Sequence, residues 1–192
     1  MEDKVTIQKE NLLKAYNQAS EEQKALLENI FGKDMFQMIT ERIKTFDDAY
    51  KILGDEHPLA VQYRLIIKAS KGGDLTEDLI AYLKLGIICT ALNEGWDPTL
   101  NKDEYRFYPW FSIHTKEEYD ILNEGDKEYS VPLRLNNHTS DYLVYASTYY
   151  AAETSGPYYG MELALRTREL ADYCGKQFID IWAEFLVGYE KI

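Results

Sequence analysis

Cys89, Cys174, His57, His114 and His138 are the side chains of this 192-residue chain most able to act as nucleophiles or metal ligands. Their spacing supports neither role. No second histidine follows at helical spacing, and there is no Cys-x-x-Cys, so no ligand set can be read from the chain. Each cysteine sits within an apolar helical pattern, whereas a reactive thiol needs an accessible, electropositive setting. Both read as buried, reduced thiols. No Gly-x-Ser-x-Gly is present. Gly72-Gly73 leads into a helix starting near Asp74, which would repel a phosphate. The acidic pairs Glu21-Glu22, Asp47-Asp48 and Glu117-Glu118 fall at helix starts, where the helix dipole explains them. No catalytic residue, metal site or cofactor is therefore expected, and the chain reads more readily as a binding protein than as an enzyme.

The unusual chemistry is aromatic. Of 16 tyrosines, twelve lie in residues 97–192, and six of those crowd into 142–159. The run Tyr105 to Ile113 alternates as a strand does, with Tyr105, Phe107, Phe111 and Ile113 on one face. Arg106, Tyr108, Trp110 and Ser112 fall on the other. Pro109 lacks an N–H, so the strand belongs at a sheet edge or a bulge. Arg106, Tyr108 and Trp110, with Tyr145 and Tyr149 of a later strand, are the candidate binding residues, because tyrosine and tryptophan are enriched at interfaces. Strands favour aromatics for packing reasons too, so a core strand competes with a contact surface. The expectation is that at least one of Tyr108 and Trp110 is exposed, with Arg106 beside it.

These residues must be positioned by a fold. Hydrophobic residues at 45% and charged residues at 28% describe a globular chain, and the length suits one domain over 1–192. A net charge of −12 argues against non-specific binding to a nucleic-acid backbone and against a polybasic membrane surface. The polar opening MEDKVTIQKE reads as no signal peptide. The apolar run Leu79 to Leu92 is too short to span a bilayer.

Residues 1–96 form a helical layer, and 97–192 a strand-rich layer with a terminal helix. Thr6, Ser20, Thr45 and Thr115 read as helix caps, with Gly32 and Gly54 as stops. Pro58 opens a helix ending at Gly72-Gly73. Leu79 to Leu92, apolar nearly all round, reads as the central buried helix. Strands are expected at 129–135 and 142–150, with a turn at Asn136-Asn137 and a last short strand at 161–165. A single amphipathic helix follows Thr167, with Leu170, Cys174, Phe178, Ile181, Trp182 and Phe185 inward. Asp172, Lys176, Asp180 and Glu184 lie opposite. Gly175 weakens that helix by about 1 kcal/mol relative to alanine, which a close packing contact would explain. The fold class is α+β: a helical N-terminal half, a small antiparallel sheet, and a C-terminal helix packed on it.

Three segments, ERIKTFDDAYKILG (41–54), LNEGWDPTLNKDEYRFYPWF (92–111) and LRTRELADYCGKQFIDIWAEFL (165–186), resemble a group of uncharacterised proteins of Bacteroidetes and their bacteriophages, including crAss-like phages. The segments keep their order across most of the chain. Cys174 stands where that group would have alanine, and 142–159 carries tyrosine where glycine and serine would be expected. The resemblance implies a phage or mobile-element setting and a cytoplasmic or virion location, and it carries no catalytic residues. The expected function is a non-enzymatic interaction with a host or phage protein through the aromatic face. The alternative is a small enzyme or ligand-sequestering protein with a pocket lined by tyrosines of 142–159. A flat aromatic patch favours the first and a deep concave pocket the second.

Overall fold

The computed structural model describes residues 6–70, 76–99, 103–133, 141–151 and 160–187. Its contacts divide into two compact units, Met1–Arg42 and Ile43–Ile192. The first holds α1 (Lys9–Gln18), α2 (Glu21–Phe31), a 3-10 turn and α3 (Ile39–Arg42). Ser20 caps α2 in a reciprocal box with Gln23, and Gly32, at φ 82°, ends it. Thr6 caps nothing: α1 starts behind Gln8, whose side chain makes no capping bond. Within this unit Tyr16 stacks on Phe36 and donates its hydroxyl to Glu28.

The second unit contains α4 (Phe46–Leu53), α5 (Pro58–Ser70), α6 (Glu77–Leu92), β1 (Arg106–His114), α7 (Lys116–Asp120), α8 (Glu124–Lys127), β2 (Ser130–Leu133), β3 (Asp141–Ala151), α9 (Arg168–Gln177) and α10 (Ile179–Val187). Residue 97 is thus no boundary between compact units. Thr45 and Thr115 each close a capping box, with Asp48 and Glu118. Gly54 ends α4, and Pro58 opens α5. Gly72, Gly73, Asp74, Asn136 and Asn137 lie outside the described residues.

The α6 helix is the centre of the core, with Leu85, Ile87, Ile88, Cys89 and Leu92 at zero exposure. It packs against α4, α5 and α10. A helix with no polar face can be stable only when covered on all sides. Lys84, its one charged interior residue, is half-buried and reaches Glu184 of α10 at 3.8 Å.

The antiparallel sheet has the order β1-β3-β2, so β1 is an edge strand as Pro109 requires. On its outer side, among the described residues, only Phe107 is paired, with Leu165, through two 2.9 Å bonds. Hydrogen-bonding direction alternates along a strand, so the nitrogen of Pro109 also points outward and no ladder bond is lost. Residues 161–165 do not form the expected strand. Met161–Leu163 is a 3-10 turn entered through Gly160 at φ 99°. Asn93, buried at the end of α6, then takes the place of a neighbouring strand: its amide donates to Ala164 O and accepts from Arg166 N–H, at 2.9 and 3.0 Å.

The C-terminal helix is also not continuous. Thr167 caps α9 as expected. Phe178 then leaves helical geometry, at φ −116° and ψ 28°, before α10 begins. The break lets α9 lie on β1 and β3 while α10 turns to β2 and α6. The amphipathic stripe survives it, with Leu170, Cys174, Phe178 and Trp182 all buried.

Two outcomes follow from this packing. Leu83→Ala should lower the unfolding free energy by about 2–5 kcal/mol, measured by chemical denaturation; a shift near zero would remove α6 from the centre. The two cysteines are buried and reduced, with Sγ atoms 3.9 Å apart. The bond to Cys174 and burial both push the Cys89 thiol well up. Both thiols should therefore react with a thiol reagent only as fast as the native protein opens, read by mass spectrometry over time.

Candidate aromatic interface

Four large aromatic side chains stand at the surface of β1 and β3 and just before them: Tyr105, Trp110, Tyr149 and Tyr150, at 54, 40, 45 and 50% exposure. The register explains their grouping. Phe107 pairs with Tyr150, Tyr108 with Tyr149, and Trp110 with Ser147. Tyr105 meets Tyr150 edge-on at 5.7 Å, and Phe107 lies 6.5 Å from each. Tyr150 continues to Tyr149 at 6.1 Å, and Tyr149 to Trp110 at 6.0 Å. The rings thus run as one connected row across two strands, at separations typical of favourable aromatic pairs.

The five candidate residues divide. Trp110 and Tyr149 belong to this row. Arg106 and Tyr108 do not, because both are buried; the expected exposed arginine beside the aromatic face is corrected. Arg106 can be buried because its guanidinium donates to the Thr99 carbonyl. Glu104 in turn accepts from the Thr99 amide and hydroxyl. Tyr108 packs with Ala164 against Trp96, and burial raises its phenol pKa. Simple period-two alternation along β1 fails here. Between Trp110 and Phe111 the register skips Ala146 of β3, a bulge that changes the local twist. Arg106, Tyr108 and Pro109 are buried on one side of it, while Trp110 and Ile113 are exposed.

Tyr145 is the third correction: it is a buried anchor, not a surface group. Its hydroxyl donates to Asp172 of α9, as does Thr148, and the two hydroxyls lie 3.0 Å apart. Burial and the bond to Asp172 raise the Tyr145 phenol pKa further from neutrality. It remains a proton donor at physiological pH and is no general base. Asp172 therefore points to the sheet, not away from it. Lys176, one turn on, sits 4.9 Å over the Tyr129 ring and 5.1 Å over that of Tyr145. The signal missed in the sequence was this Asp172–Lys176 spacing on the face taken as solvated.

The remaining tyrosines of 142–159 separate as well. Tyr142 stacks on Tyr119 at 3.7 Å. Tyr158 and Tyr159 lie outside the described residues. A cleft of about 340 Å³ exists elsewhere on this unit, and no residue of 142–151 lines it. His138 lies outside the described residues, and among the described residues no three His, Cys, Asp or Glu side chains converge as a metal site. None of the described helices is long and apolar enough to cross a membrane.

Comparison with known proteins adds no family: no protein-family model matches the chain, and neither a curated protein nor a solved structure resembles it detectably.

Proposed function

We propose that this chain is a non-enzymatic binding protein of phage or prophage origin that docks on a protein partner through Tyr105, Trp110, Tyr149 and Tyr150. The observation that carries the reading is the connected row of four half-exposed rings on, and just before, the two paired strands. Aromatic side chains at the centre of an interface supply large apolar area at low conformational cost, and their hydroxyl and indole groups satisfy a partner's polar edges. The rings rest on a scaffold held by Tyr145, Thr148 and Asp172, so little ordering remains to be done on binding. The likeness of segments 41–54, 92–111 and 165–186 to phage and Bacteroidetes proteins supports a host or phage protein as partner, met in the host cytoplasm or on a virion.

The net charge of −12 favours a partner whose contact surface is basic or neutral, since like charges across an interface oppose docking. Arg106 and Tyr108 enter this account as support for the surface, not as contacts.

Substituting Trp110 and Tyr149 together by alanine should leave the denaturation midpoint near that of the wild type. It should weaken capture of the partner by about 30-fold or more, the equivalent of roughly 2 kcal/mol of hot-spot energy. Tyr108→Ala should do the opposite, lowering stability as a core truncation. Quantitative affinity capture with wild-type and variant baits, alongside denaturation curves, distinguishes these. Equal recovery of the same partners by both baits would remove the aromatic row from the interface.

A further inference from the structure

We propose that the second unit carries a separate site for a small organic cation with a flat apolar body. The site is the 340 Å³ cleft at the C-terminal end of α6, within the size range of small-ligand pockets. Its apolar walls are Leu59, Trp96, Pro98 and Met161. Trp96 is half-buried, and it packs against buried Tyr108 and Ala164. That packing holds the indole in place as a fixed wall. A flat ligand stacks on such a ring, and a cation is drawn to its face.

The polar lining sets the charge. Asp97 and Glu162 line the cleft, and among the described residues no lysine or arginine does. Glu162 is oriented by the Tyr82 hydroxyl, which donates to its Oε2 at 2.5 Å and leaves Oε1 for a ligand. Thr90, from the last turn of α6, and Asn93, its C-cap, also line the cleft. The negative end of that 16-residue helix therefore adds to the carboxylates. The turn after α6 brings Trp96 and Asp97 over this end, through Glu94 at φ 49° and Gly95 at φ 84°.

One feature works the other way. The start of α5, with its positive dipole end, reaches the cleft at His57 and Leu59. Its donors are partly consumed: Pro58 has no N–H, and that of Leu59 goes to His57 Nδ1 at 3.3 Å. With Nδ1 accepting, a neutral His57 carries its proton on Nε2 and can serve a ligand's polar tail as donor. An anionic ligand would face two carboxylates with no fixed countercharge among the described residues. A neutral one would gain the apolar walls but not the attraction of the carboxylates and the helix end.

The site is separate from the aromatic interface and does not depend on it. The experiment is calorimetric titration of the full chain with tyramine and benzamidine, each against its uncharged counterpart, 4-ethylphenol and benzamide. The indole N–H resonance of Trp96, assigned with Trp96→Phe, reports the place of binding. Saturable binding of an amine, about tenfold tighter than its counterpart, is expected. Asp97→Asn, a surface change, and Glu162→Gln should each weaken it severalfold, and together about tenfold or more, with unfolding midpoints measured alongside. The proposal is overturned if neither amine saturates, if the neutral counterparts bind as well, if Asp97→Asn leaves the affinity unchanged, or if the Trp96 resonance does not move.

Discussion

The missing side chain of Gly175 sets the distance between helix and sheet in the second unit. A Cβ placed there would stand 2.6 Å from Pro109 Cβ and 2.8 Å from two ring carbons of Tyr145. Neither neighbour can yield cheaply. Pro109 belongs to a rigid ring in a paired strand, and Tyr145 is buried and bonded to Asp172. Glycine in a helix interior costs about 1 kcal/mol relative to alanine, and here the cost is offset by letting α9 press onto β1 and β3.

Much else depends on that approach. With α9 this close, Asp172 reaches both Tyr145 and Thr148, and Lys176 lies over two rings. Cys174 on the same helix comes into contact with Cys89 in the last turn of α6. Sheet, α9 and α6 are thereby fixed as successive layers. Around this packing the rings of Trp110, Tyr149 and Tyr150 stay partly exposed. The proposed interface rests on the packing beneath it.

The local signals in the sequence were readable because their partners lie three or four residues away. Ser20, Thr45 and Thr115 cap the helices assigned to them. The run Leu79 to Leu92 could be placed because an apolar helix has only one stable environment. The close contact at Gly175 could be inferred from the same logic, a helix carrying a residue that weakens it. What failed was decided by tertiary partners. The burial of Arg106 depends on the carbonyl of Thr99, and the exposure of Trp110 on a bulge opposite it at Ala146. The break at Phe178 leaves the apolar stripe unbroken, so periodicity carries no trace of it. Residues 161–165 look like a strand, yet Asn93 of α6 satisfies the backbone that a neighbouring strand would have bonded.

The candidate interface was half legible. Aromatic density marked the region, and period two selected Trp110, but it also selected Arg106 and Tyr108, which hold the surface up from within. The claim on which all of this rests is the close approach at Gly175, and Gly175→Ala tests it by the sign of its effect. Helix propensity alone predicts that alanine stabilises the protein by up to about 1 kcal/mol. The packing described here predicts destabilisation of about 1–3 kcal/mol, the usual cost of forcing a methyl group into a filled site. The measurement is the unfolding free energy of the wild type and the variant by chemical denaturation. A lower value for the variant is the expected result, and an equal or higher one would contradict the account.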